Sequence, residues 1–415
     1  MGIIAISIAM VKLSVPQSQI GHYEMLLFLT NLLATFWITG MIQALLPLYG
    51  KFQIDGQKSS VLFNAFILIT GLSVLSGAIA FLIKGLLFKV DGIASLPFYN
   101  LVILYLTLST PTLLIEYIYL LKDKPRQMII YGVITHVLQV LLVIGPLLID
   151  INIEYSVYGL IAISAIRIIW LIILIYKNSA LTINKEFLKE HTKQGFPLAL
   201  KYLISSSGTY IDQAIITTHF DSATFAIYRF GAREIPLIVL MTTSLSTSLL
   251  SDFSNSVQLK STLKELKQKS LQLMHLLFPL AILTILLSKP LFPIIFSPEF
   301  AESANILMIY ALIITSRAIF PQTVTMGLQR NGIALLASIV EMVLNIALSL
   351  LLLIPFGIEG VAMATVIVYL LEKVFLAYYN QIKLEIPFKE YTPVRPFILY
   401  SVATIAVYCI ARFII

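Results

Sequence analysis

The chain has 415 residues, of which 59% are hydrophobic and 12% charged, with 28 Lys and Arg against 21 Asp and Glu for a net charge of +7. No soluble core needs that much apolar surface, so an ordinary water-soluble domain is excluded and a multi-span membrane protein is indicated. The cation excess does not call for nucleic acid, because most of it sits in loops, where it serves topology and contacts with anionic headgroups.

A membrane-crossing helix needs roughly 20 apolar residues at 1.5 Å rise each. Thirteen candidate spans follow in chain order, at 1–14, 22–47, 61–88, 97–120, 127–149, 155–176, 196–219, 222–251, 271–296, 303–327, 333–355, 358–380 and 394–414. The first is short, about 21 Å long against a core of about 30 Å. Either the chain begins upstream of Met1 or this helix is truncated; it lacks the basic leader and cleavage site of a signal peptide. In the second span Asn31, Thr35, Thr39 and Gln43 form a polar stripe, as do Lys201, Ser205, Gly208 and Asp212 in the seventh and Arg229, Arg233, Thr243, Thr247 and Ser251 in the eighth. Such stripes arise from hydrogen bonding between helices or from a wet lumen; the charges at their ends favour the lumen.

Alternate loops are basic: Lys51 and Lys58; Lys122, Lys124 and Arg126; Lys177, Lys185, Lys189 and Lys193; Lys260, Lys264, Lys267 and Lys269; Arg330; Lys383, Lys389 and Arg395. These are expected to be cytoplasmic, with a cytoplasmic amino terminus and, after an odd number of spans, a periplasmic carboxy terminus. Lys84 and Lys89 run against the trend. The segment 177–195 reads as an amphipathic interfacial linker or a solvated loop. A single cysteine, Cys409, excludes an internal disulfide, and five scattered histidines give no metal-ligand spacing. No metal and no cofactor are expected.

Two echoes mark an internal repeat. Gln17 to Glu24 opens the second span much as Asp221 to Arg229 opens the eighth, each with a Tyr in its first turns (Tyr23, Tyr228). Tyr158-Gly159 through Ser164 opens the sixth as Glu359-Gly360 through Thr365 opens the twelfth. Six spans separate each pair, so the halves share one topology, a parallel repeat with a substrate site expected between lobes near mid-membrane. The expected architecture is an all-α integral membrane protein of two six-helix lobes, 1–176 and 196–380, joined by the linker 177–195 and followed by a loop and an extra span over 381–415.

Charges within apolar spans carry the functional signal, since one near the bilayer centre costs about 2.5–3.5 kcal/mol and faces a partner or a polar cavity. Arg229 and Arg233 are expected on one face of a continuous eighth helix, beside Glu234, with Asp212 at the depth of Arg229 and able to pair with it. The two arginines suit a two-phosphate anion. Arg317, Arg167 and Lys201 are further substrate-binding candidates, and Asp212, Glu234 and Glu341 are candidates for ion coupling or charge pairing. Alternatively these charges are structural pairs. An enzyme is not expected: the longest loops, 177–195 and 252–270, are short and basic, and no paired-carboxylate, nucleophile or glycine-rich phosphate motif occurs.

Lys12-Leu-Ser14 with Gly21-His-Tyr23, Gly40, Leu46-Pro47-Leu-Tyr49, Asp212, Tyr228 to Pro236, Ser297-Pro-Glu-Phe300, Pro321-Gln322 and Phe356 to Gly360 together resemble the Wzx-type flippases of the multidrug/oligosaccharidyl-lipid/polysaccharide (MOP) exporter superfamily. The resemblance covers the full length through loose patterns. It implies a V-shaped two-lobed bundle in a bacterial cytoplasmic membrane that moves an undecaprenyl-diphosphate-linked oligosaccharide, such as an O-antigen repeat unit, by ion-coupled alternating access. Membrane lipids and polysaccharide assembly proteins are the implied partners. A MOP exporter of a small organic solute or drug is the rival expectation; such exporters favour acidic cavities.

Overall fold

The computed structural model describes residues 2–52, 59–87, 97–250, 253 and 259–413. The regular secondary structure of the described residues is all helical. Nine helices among them are long and apolar enough to cross a membrane. Large hydrophobic side chains such as Leu82, Leu141, Ile169, Ile294 and Leu399 stand exposed along them, the inverse of a soluble fold and the surface a lipid solvent requires.

Each expected span corresponds to a helix, to part of one, or to two or three helices in succession. The first is Gly2–Lys12, the second Gln17–Lys51, the third Val61–Leu87. The fourth divides into Tyr99–Thr112 and Leu114–Leu121 just after Pro111. The fifth is Pro125–Ile144 with a terminal 3₁₀ turn. The sixth, Ile153–Asn178, starts where the Asn152 side chain accepts the Glu154 N–H at 3.0 Å, satisfying one of the orphan donors of a helix start. The seventh is Lys185–His219.

The eighth also divides: a single span is expected, but Ser222–Gly231 and Pro236–Leu250 are separate helices. The ninth runs over Leu259–Ile295. The tenth breaks into Ala301–Ala311, Ile314–Arg317 and Pro321–Gly327. The eleventh and twelfth meet at Gly357, whose φ of 57° and ψ of −139° interrupt Asn331–Lys383 one residue after Phe356. The last is Val394–Phe413.

The chain forms two compact units: one of residues 1–210 with 217–226, the other of 211–216 with 227–415. The lobe boundary expected at 195/196 falls inside the first. There residues 185–195 are the opening turns of the seventh helix, and buried His191 bonds the Met41 carbonyl at 2.7 Å. Around it pack Trp37, Leu45, Leu62, Ile115, Leu171 and Phe187. Lys58, Lys89, Ser251 and residues 252 and 254–258 lie outside the described residues; the rest of the expected loop 252–270 is mostly helical, 259–270 being the opening turns of the ninth helix.

The second echo has a shared local geometry. A Cβ on Gly159 would stand 2.1 Å from the Leu142 carbonyl oxygen, and one on Gly360 would stand 2.1 Å from that of Leu352. In each unit, then, the helix carrying this glycine lies against the backbone of the helix before it, and only glycine permits that approach. In the second unit the last helix is tied to its neighbours by Lys289 Nζ on the Ala411 carbonyl (2.8 Å) and by an Arg412–Glu359 pair at 2.8 Å.

Candidate functional site

The break in the eighth span positions the central charges. Pro236 has no N–H to donate and disfavours helical backbone at Ile235, so the first helix ends at Gly231 and a new one starts at the proline. The Ala232 N–H still reaches the Tyr228 carbonyl at 2.8 Å, but the Arg233 N–H turns to Gly231, also at 2.8 Å. Gly231 is pressed against the tenth span, where an added Cβ would lie 2.4 Å from the Ser303 carbonyl oxygen. Ser303 in turn donates to the Ile227 carbonyl at 2.7 Å.

Contrary to expectation, Arg229 and Arg233 therefore do not share the face of one continuous helix. Arg229 belongs to the first helix and Arg233 to the break. The Arg233 side chain folds back, its Nε donating to the Arg229 carbonyl at 3.1 Å and its guanidinium carbon 5.2 Å from the centre of the Phe230 ring, a cation–π distance.

Glu234 faces Arg317. Their contact is bidentate, Nε to Oε2 at 3.0 Å and Nη2 to Oε1 at 2.7 Å, the fork geometry that makes arginine–carboxylate bonds strong and directional. The Arg317 guanidinium also lies 5.7 Å from the centre of the Tyr369 ring. Arg233, Glu234, Arg317 and Tyr310 line a cavity of about 20 Å³, room for about one water.

Asp212 was expected to be able to pair with Arg229. It is 1% exposed and takes three hydroxyls on Oδ2: Tyr228 at 3.0 Å, Tyr310 at 2.8 Å and Thr365 at 2.5 Å. Behind Thr365, Asn345 donates to its Oγ1 at 3.1 Å, and Ser349 to Asn345 at 3.3 Å. A buried carboxylate held by neutral donors keeps its charge only while those donors stay in position. Tyr310 belongs both to this cage and to the cavity beside Arg233 and Arg317, so the structure brings Asp212, Arg233, Glu234 and Arg317 into one neighbourhood. Glu341 lies within electrostatic reach of Glu372, Lys373 and Arg317. Lys373 is held by Glu372 at 2.7 Å and Gln322 at 3.1 Å.

In the first unit Arg167 is tied to the fifth span, its Nη2 2.9 Å from Gln139 Oε1 and 3.4 Å from the Thr135 carbonyl. The side chains of Lys201 and Ser205 lie outside the described residues. Sequence reasoning missed Glu24, fully buried and accepting from Ser7 Oγ at 2.6 Å. It also missed Tyr310, Asn345 and Ser349 as the cage of Asp212. Glu24 had a signal, being a charge in the first turns of an apolar helix. The cage had none, since its members are separated by up to 153 residues. Among the described residues no three His, Cys, Asp or Glu gather into a metal cluster.

The sequence pattern of the lipid II flippase MurJ family matches residues 27–415. The chain belongs to the lipid II flippase MurJ family. That places it in the MOP superfamily, as expected, though in the MurJ branch where the loose motifs had suggested the Wzx type. It is a multi-pass membrane transporter of a flippase family. A curated relative, the probable low-salt glycan biosynthesis flippase Agl15 of Haloferax volcanii, is 24% identical over 186 residues; the match covers 43% of this chain and 39% of the relative. The match thus spans well under half of the relative's length. Among solved structures, a lipid II flippase MurJ in an inward closed conformation superposes with a TM-score of 0.67 at 17% identity, covering 100% of this chain and 92% of that one. An inward-facing multidrug resistance MATE transporter gives 0.66 at 14% identity over 97% and 94%, and a MOP transporter from Pyrococcus furiosus 0.58 at 13% over 92% and 91%. At these identities the likeness is one of fold, and the fold is that of the MOP transporters.

Proposed function

We propose that this MurJ-family chain is a flippase for a lipid-diphosphate-linked oligosaccharide, moving it across the membrane by alternating access coupled to an ion gradient. The family match over 27–415 carries the reading. Arg233 and Arg229 are its diphosphate ligands, with Arg317, Arg167 and Lys201 as further cations on the substrate's path. Arg317 is paired with Glu234, and Arg233, at the helix break, lines the same small cavity. Asp212 is the coupling residue: its hydroxyl cage accepts a proton or a small monovalent cation without needing an arginine to leave. Glu341, near Glu372 and Lys373, is a second candidate. Undecaprenyl diphosphate as carrier, a surface-polysaccharide repeat unit as cargo, a bacterial cytoplasmic membrane and a cytoplasmic amino terminus complete the proposal, with membrane lipids and polysaccharide assembly proteins as its partners.

One observation favours a second reading, export of a small organic solute: the acids Asp212, Glu234, Glu341 and Glu372 equal in number the cations Arg229, Arg233, Arg317 and Lys373. The test is depletion of the gene followed by analysis of accumulated lipid-linked sugars. Accumulation of a lipid-diphosphate oligosaccharide supports the flippase and names its cargo; an unchanged lipid-linked pool supports the solute exporter.

A further inference from the structure

The first unit carries a groove of about 560 Å³ between the end of the fourth span, the start of the fifth and the sixth. Its two ends differ in chemistry. Lys124, Lys177 and Asn178 line one end, and Ile166, Ile169 and Trp170 line the other. Along the sixth helix the distance from Lys177 to Ile166 is roughly 16 Å, at 1.5 Å per residue. Ile166 and Ile169 are 38% and 59% exposed, so the apolar end opens onto the bilayer. Trp170 donates its indole N–H to the Tyr119 hydroxyl at 2.9 Å and packs edge-on against Tyr131. Its polar edge is thereby satisfied inside the protein, and its remaining surface is apolar wall.

We propose that this groove binds an anionic glycerophospholipid, with the phosphate between Lys124 and Lys177 and an acyl chain along Ile169 and Trp170. Charge decides the headgroup. The turn beside the groove carries Lys122, Lys124 and Arg126 against one acid, Asp123, and Lys177 adds a further cation from the sixth helix. A choline or ethanolamine headgroup would bring its own cation up to these lysines; a glycerol headgroup brings none. Each lysine near the headgroup plane favours an anionic lipid by roughly fivefold, about thirtyfold for the two, less at high salt. The site lies within one compact unit and stands apart from the transport reading, so either can fail without the other.

The chain contains its own probe. Its two tryptophans are Trp37 and Trp170, and Trp37 is 7% exposed in the core of the first unit. The full chain carrying Trp37→Phe is reconstituted in nanodiscs of phosphatidylcholine with increasing brominated phosphatidylglycerol or, in parallel, brominated phosphatidylcholine. Where that substitution lowers yield, the unsubstituted chain serves, because buried Trp37 adds the same background with either lipid. Brominated phosphatidylglycerol should quench Trp170 at a mole fraction at least tenfold lower, and Lys124→Glu with Lys177→Glu, both exposed positions, should abolish the difference. Equal quenching by the two lipids, a preference that survives the double substitution, or relief of quenching by undecaprenyl phosphate but not by unbrominated phosphatidylglycerol would each overturn the proposal.

Discussion

Glu234 and Arg317, 83 residues apart in sequence, meet through two parallel hydrogen bonds of 3.0 and 2.7 Å. One comes from the break in the eighth span and the other from the broken tenth, so the pair ties together two elements that local helix geometry leaves interrupted. Side-chain exposures of 23% and 29% place it between a surface pair and a dry one. Removing one partner from a dry pair costs about 3–5 kcal/mol, and this one should lose roughly 2–3 kcal/mol after partial solvent screening. Glu234→Ala and Arg317→Ala should each lower the thermal midpoint in detergent, and the double variant should be less unstable than their sum. An additive result would mean that the pair does not hold the break.

The glycines at matched places in the two units give a second prediction. Gly159→Ala and Gly360→Ala each put a Cβ about 2.1 Å from a backbone carbonyl, so a helix must shift, and both should destabilise by roughly 1–3 kcal/mol. Gly71→Ala and Gly132→Ala meet nothing within 4 Å and lie inside helices. They should be neutral or gain up to about 1 kcal/mol from helix propensity. Thermal melts of the four variants check this.

Much of the fold was legible because a bilayer enforces long apolar helices, and the repeat was legible because Gly159 and Gly360 do the same steric job twice. The breaks were less so. Pro236 stands inside an apolar run long enough to span, and the i, i+4 spacing of Arg229 and Arg233 gives one face only if the helix is continuous through it. The partners of Asp212 were not legible. Tyr228, Tyr310 and Thr365 converge from the eighth, tenth and twelfth spans through tertiary packing, and helical periodicity says which face a residue takes without saying what stands opposite.

The cage makes Asp212 testable apart from the arginines. Asp212→Asn is nearly isosteric and should insert and fold, yet lose the ion dependence of transport. Tyr310→Phe removes one of three donors to Oδ2 and should retain transport with a weakened ion response, since each hydrogen bond to a charged group contributes about 1.5–3 kcal/mol. Flux against imposed proton and sodium gradients in proteoliposomes distinguishes the two. Unaltered gradient dependence in Asp212→Asn would assign coupling elsewhere, with Glu341 next in line.

Topology tests the direction of transport. Cysteines introduced at Lys189 and Lys264 in a chain carrying Cys409→Ser should resist an impermeant maleimide in intact cells, and one at Glu299 should react. The reverse pattern would invert the proposed orientation.

The central claim is that Arg233 at the break and Arg229 in the helix before it serve a lipid diphosphate, and reconstituted flipping measures it most directly. Proteoliposomes containing a fluorescent polyprenyl-diphosphate disaccharide should show protein-dependent movement of the label between leaflets. Arg233→Gln should slow it at least tenfold, with Arg233→Lys intermediate and Arg229→Gln less severe, at equal levels of inserted protein. Flipping at the parental rate by both glutamine variants, or none by the parent alongside efflux of an organic cation, would contradict the account.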